Sequence, residues 1–153
     1  MLLMLAGLIG VVAGLRAFTA PAVVSLAARY CHLSLAGTPL AFLGYRWTPW
    51  VFILVAVAEL IGDQLPSTPS RKVPVQFATR LMTGALSGGA IGASGGMLVA
   101  GIIAGIVGAA VGTWGGAAGR AWLAQAFKRD LPAALIEDVI AIGGALLIAC
   151  AAL

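Results

Sequence analysis

The sequence predicts an all-α integral membrane protein with about five transmembrane helices, and three observations carry that expectation. Hydrophobic residues make up 61% of the 153-residue chain and charged residues only 9%, whereas a soluble domain carries about a quarter charged residues. The mean hydropathy is +1.07. Apolar stretches recur along the whole length, each near the roughly 20 residues that cross a bilayer as helix. The alternating segments of about ten residues that a membrane β-barrel needs are not visible. Residues 1–153 read as a single polytopic domain.

The first span, near 2–29, opens with MLLMLAGLIGVVAGLRAF. It has no basic N-terminal stretch and Arg16 interrupts its apolar run, so it reads as a membrane helix rather than a cleaved signal peptide. Pro21 is expected to kink it. Residues 30–47 are half apolar and read as an interfacial or re-entrant piece, with Tyr45, Trp47 and Trp50 as aromatic anchors. Further spans fall near 49–65, 75–92, 96–126 and 132–152. Pro49, Pro74 and Pro132 stand at or just before the apolar runs, as proline does near helix N-termini. Pro66 and Pro69 make PSTPSR a turn-rich loop.

Loop charges orient these spans. Arg71, Lys72, Lys128 and Arg129 lie on one side, against Arg29 and Arg46, with the lone His32, on the other. The bias places the N-terminus in the cytoplasm and the C-terminus outside. The net charge of +4 is spent on topology, and no nucleic-acid partner is implied. AGLRAF at 13–18 and AAGRAW at 117–122 hint at a weak inverted repeat.

Small residues set the expected packing. Gly84, Gly88, Gly92 and Gly96 recur every four residues, and so do Gly108, Gly112 and Gly116. Such ridges let membrane helices approach backbone to backbone. Gly95 and Gly96 would sit at the tip of a tight antiparallel hairpin joining the two. The same ridges could pack against partner proteins or a second copy, with a dimer as the default oligomer.

Seven ionisable residues fall inside the expected spans: Arg16, Glu59, Asp63, Arg80, Arg120, Glu137 and Asp138. A charge at the bilayer centre costs roughly 2.5–3.5 kcal/mol on insertion scales, so such residues form the candidate site. Glu59, Arg80, Arg120 and Glu137 share a layer about 8–10 Å below the inner boundary at 1.5 Å per residue. Arg80 and Arg120 are expected to pair with Glu59 and Glu137. Asp63 and Asp138 would face the inner opening, and Arg16 would be a mid-membrane element that could serve as a gate.

Two accounts of the layer stay open. It is either a sealed salt-bridge network in a structural or accessory protein, or a polar cavity of a small transporter or channel. A cavity could relay protons, hold a divalent cation among the acids, or bind a small solute or an anionic lipid head group at its arginines. An enzyme is a third possibility, acting on a lipid phosphate with a metal at Glu59, Asp63, Glu137 and Asp138. No Ser–His or Cys–His arrangement, P-loop or Rossmann fingerprint is visible. Cys31 and Cys150 lack metal-type spacing. The expected answer is therefore no enzyme and no cofactor.

GLRAFTAPAVVSLAAR, TPLAFLG, AELIGDQLPSTPSR and LIEDVIAIGGALL together resemble a bacterial inner-membrane family, domain of unknown function 4126. The resemblance runs over nearly the whole chain. It implies a small polytopic protein of the bacterial cytoplasmic membrane, and it brings no activity, substrate or catalytic residue.

Overall fold

A computed structural model describes residues 1–31, 33–62, 73–128 and 130–153. Among these, all regular structure is helical. The order is α1 (Leu2–Leu15), α2 (Thr19–Tyr30), a 3₁₀ turn (Ala41–Gly44), α3 (Thr48–Gly62), α4 (Pro74–Ser94), α5 (Leu98–Phe127) and α6 (Asp130–Ala151). Pro74 opens α4, where its missing N–H removes a donor that would have no intrahelical partner. Gly96 turns the chain between α4 and α5 at φ +73, a backbone conformation that glycine adopts without steric cost.

The first expected span is two helices, which makes six in all. α1 stops at Leu15, Arg16 is extended (φ −138, ψ 110), and α2 begins at Thr19. The break thus precedes Pro21 instead of following from it. Pro21 lies in the first turn of α2, where the lost N–H breaks no helical bond.

At the break the chain also reverses. Leu2 packs against Gly95 in the α4–α5 turn. Met1, Leu2, Leu33, Ser34, Ser94 and Leu153 wall one cavity of about 360 Å³. The start of α1, the segment after α2, the α4–α5 turn and the C-terminal residues therefore share one face, here the terminal face. α1 runs with α5, Gly10 meeting Gly105 and Gly14 meeting Gly112. It runs against α4, since Arg80 reaches the carbonyls of Gly14 and Leu15. This corrects the expected topology. The N-terminus does not share a face with the start of α4 and the end of α5, because α1 and α2 form a hairpin instead of one crossing.

The hairpin turn is deep. Arg80, beside it, lies six residues after Pro74 and fourteen before Ser94. At 1.5 Å per residue that is about 9 Å from one end of α4 and about 21 Å from the other.

Glycine packs the centre, though not as the two ridges suggest. Gly84, Gly88 and Gly92 do face α5, but they meet Gly101, Gly105 and Ala109 there. A Cβ on Gly88 would stand 2.6 Å from the Gly101 carbonyl oxygen and 2.7 Å from the Gly105 Cα. Gly108 and Gly112 turn away from α4 and pack on Gly7 and Val11 of α1. α5 thus offers glycine to two neighbours on two faces. Gly96 has open space around it in the turn, and Gly116 is half-buried. AGLRAF and AAGRAW do not share backbone structure, because Arg16 interrupts a helix and Arg120 lies within one.

Leu98–Phe127 and Leu131–Ala151 are long and apolar enough to cross a membrane, while Leu2–Leu15 and Thr48–Gly62 are apolar but shorter.

Candidate functional site

Two helix ends meet at the α1–α2 reversal, and each is held by a side chain from another helix. The last carbonyls of a helix lack intrahelical donors and carry partial negative charge. Arg80 of α4 supplies donors there: its Nη1 donates to the carbonyls of Gly14 (2.6 Å) and Leu15 (2.7 Å). The N–H groups leading into α2 have the opposite need, Phe18 being its N-cap and Ala17 the residue before. Ala17 N–H donates to Glu59 Oε1 at 2.8 Å and Phe18 N–H to Glu59 Oε2 at 2.9 Å. One carboxylate from α3 thus spans two consecutive backbone amides. Arg80 Nη2 stands 3.7 Å from the same Glu59 Oε1, so the two capping groups also attract each other. Arg80 is 2% exposed.

Arg16, within the reversal, is fully buried. Its Nε donates to Asp138 Oδ1 of α6 at 2.7 Å, and its Nη2 pairs with the same oxygen. One residue earlier, on the adjoining face, Glu137 Oε2 lies 3.8 Å from Arg120 Nη1 of α5. Among the described residues, three arginines and three carboxylates therefore form three ion pairs in one layer. Charges this buried need such partners, because the low-dielectric interior does not solvate them.

The Glu59–Arg80 and Glu137–Arg120 pairs are those expected from the sequence. Arg16 and Asp138 are placed differently. Arg16 is level with Arg80, because the Leu15 carbonyl beside it is the one Arg80 binds. Asp138 is spent on Arg16 and does not face an opening. Asp63 lies outside the described residues, as do His32, Arg71, Lys72 and Arg129.

Sequence reasoning passed over the polar wall beside Glu59. A cavity of about 230 Å³ is lined by Ala17, Phe18, Glu59, Gln76, Thr79 and Arg80. Gln76, Thr79 and Arg80 recur at the i, i+3, i+4 spacing of one helical face, a signal legible in VQFATR. A second, apolar groove of about 310 Å³ runs along α1, α5 and α6, walled by Val11, Leu15, Gly112, Gly116, Arg120 and Glu137. Among the described residues no three His, Cys, Asp or Glu side chains cluster as a metal site. The paired acids therefore lend no support to a divalent-cation centre.

No family model, curated protein or solved structure matches the chain.

Proposed function

We propose that this chain is a small transporter- or channel-like protein of the bacterial cytoplasmic membrane, handling a small solute, ion or proton at the α1–α2 reversal. One observation carries the proposal. Two helix ends meet inside the bundle, clamped by a buried Arg80 and by Glu59, and a polar cavity opens on the same groups. Interrupted helices aiming their ends at a site near mid-bilayer are a device of secondary transporters. Irregular backbone at membrane depth is tolerated where it is buried in protein or lines a cavity.

The membrane setting is supported by an inside-out distribution of residues. Arg16, Arg80, Glu137 and Asp138 are buried, while Leu54, Val99, Val139 and Leu147 are each at least 68% exposed. Water would penalise that apolar surface, and lipid does not. Tyr45, Trp47 and Trp50 are exposed near the start of α3, and Trp122 near the end of α5, where interfacial aromatic residues anchor spans. The resemblance to domain of unknown function 4126 agrees with this setting and adds no activity. Dimerisation remains the default, as two copies would help to enclose a pathway.

With α1–α2 as a re-entrant hairpin, the positive-inside bias of the α3–α4 and α5–α6 connections places the terminal face outside. The expected result is that epitope tags at the N-terminus and at the C-terminus are both reached by antibody in intact spheroplasts. An N-terminal tag protected while the C-terminal one is labelled would restore a single first crossing.

Function is tested by flux in proteoliposomes. The parent should pass a small ion, solute or proton faster than protein-free vesicles. Arg80→Gln, purified as a monodisperse species, should lose that excess about ten- to hundredfold, the equivalent of charged hydrogen bonds contributing roughly 1.5–3 kcal/mol. Parent flux no greater than that of empty vesicles sinks the proposal. The pairing of all three described ion pairs favours the second reading, a non-transporting accessory protein whose charges lock its helices, and that reading would then stand.

A further inference from the structure

We infer that Glu59 is a tethered occupant of an anion seat, and that the seat accepts a small free carboxylate in its place. The inference rests on the transport reading of the same site and names its substrate class as a small monocarboxylate or an equally sized planar oxyanion.

Four features on three elements define the seat. The amides of Ala17 and Phe18 point at one carboxylate and bond its two oxygens separately, at 2.8 and 2.9 Å. Phe18 is the N-cap of α2 and Ala17 precedes it, so the carboxylate sits where the helix dipole is positive. The second feature is the Arg80 guanidinium, 2% exposed and 3.7 Å from the same carboxylate. It comes from a different helix, so the seat is more than a helix end. The third is the cavity of about 230 Å³ that adjoins these groups, room enough for a small organic anion to approach. The fourth is the rest of its described wall, where Gln76 and Thr79 offer neutral hydrogen-bonding side chains.

The charge balance gives Glu59 its place. With it seated, the Ala17 and Phe18 amides have their acceptor and the three described ion pairs sum to no net charge. Without it, those two backbone donors lose their acceptor and Arg80 loses one carboxylate neighbour, and leaving such donors unsatisfied is costly. A free anion entering from the cavity would satisfy the same atoms in the same geometry. A chain-borne carboxylate competes with it at an effective concentration in the millimolar range or above. The parent should therefore bind a free carboxylate weakly, and removal of the tether should strengthen that binding.

Formate is the probe, with chloride at equal ionic strength as the control, and the readout is thermal unfolding of the full-length protein in detergent. Glu59→Ala should unfold at a temperature that rises saturably with formate. Half-saturation should come at a concentration at least about tenfold below that for the parent, given the effective concentration of the lost competitor. Glu59→Gln, which keeps the side-chain volume, carries the same test if Glu59→Ala does not fold. Adding Arg80→Gln to either variant should abolish the response. Formate without effect on the Glu59 variants, or an effect reproduced by chloride, overturns the inference, and a parent indifferent to saturating formate reduces Glu59 to a helix cap. These outcomes are independent of flux. Vesicles that pass some other ion while no variant binds formate leave transport standing and remove the anion seat. Formate binding without flux does the reverse.

Discussion

Replacing Asp138 by alanine is expected to destabilise the protein by about 3–5 kcal/mol, the usual cost of removing one member of a buried ion pair. Arg16 has no exposed surface, and Asp138 receives both its Nε and its Nη2. Alanine would leave the guanidinium in the interior with its carboxylate partner gone and no route to water. The double substitution Arg16→Met with Asp138→Leu should recover most of the loss, since apolar residues of similar volume often replace buried pairs at little cost. Unfolding in detergent of the parent, both single variants and the double closes the cycle. Glu137→Gln is the internal comparison. The Arg120 side chain is 17% exposed and the pair spans 3.8 Å, so its loss should cost well under half as much. If Asp138→Ala stays within about 1 kcal/mol of the parent, the range of an exposed pair, Arg16 is hydrated and the layer is open there.

The helical class and the buried charges Arg16, Arg80, Glu137 and Asp138 were legible because each is a compositional fact that the sequence carries locally. A run of apolar residues announces a helix wherever it packs, and a charge within such a run stands out against it. The pairing of Glu59 with Arg80 and of Glu137 with Arg120 was legible for a related reason. Depth along a helix can be counted from its end at 1.5 Å per residue, and groups at one depth in neighbouring helices can meet.

The reversal at Arg16–Phe18 was not legible. Nothing in LRAFT is a strong turn signal, there being no glycine or proline between Leu15 and Thr19. The break is held from outside, by Arg80 on one helix end and Glu59 on the other. A local pattern cannot report stabilisation supplied from 41 to 66 residues away. Tertiary contacts overrode a helical propensity that would have carried straight through. Counting depth along a straight first helix then placed Arg16 near mid-membrane and Asp138 at the inner opening, at different depths. The glycine ridges failed in a milder way. Spacing shows that a face is small, but α5 has two such faces, and only the structure assigns Gly101 and Gly105 to α4 and Gly108 and Gly112 to α1.

That division of α5 sets the second large effect. Gly105→Ala and Gly108→Ala should each destabilise the protein by about 3 kcal/mol or more, at or beyond the top of the usual range for overpacking. A Cβ at residue 105 would land on the Gly84 carbonyl oxygen, and one at 108 on that of Gly7. Both obstacles are backbone, so no rotamer change relieves them, and the helices must separate. Gly115→Ala and Gly119→Ala provide the contrast on the same helix, because nothing lies within 4 Å of either new Cβ. There alanine should be neutral or stabilising by about 0.5–1 kcal/mol through its better helix propensity. Thermal unfolding of the four variants in detergent measures the difference, and equal effects at 105 and 119 would mean that the close packing of α1, α4 and α5 does not hold in the purified protein. The consequence reaches the site. Gly105 lies against both Gly10 and Gly84, so widening that crossing moves α1 relative to α4. Arg80 would then lose the Gly14 and Leu15 carbonyls it bonds at 2.6 and 2.7 Å. On the proposed transport reading, Gly105→Ala should therefore diminish flux even where some folded protein survives, while Gly119→Ala leaves it unchanged. A methyl group far from any charge would act on the charged layer through the backbone alone.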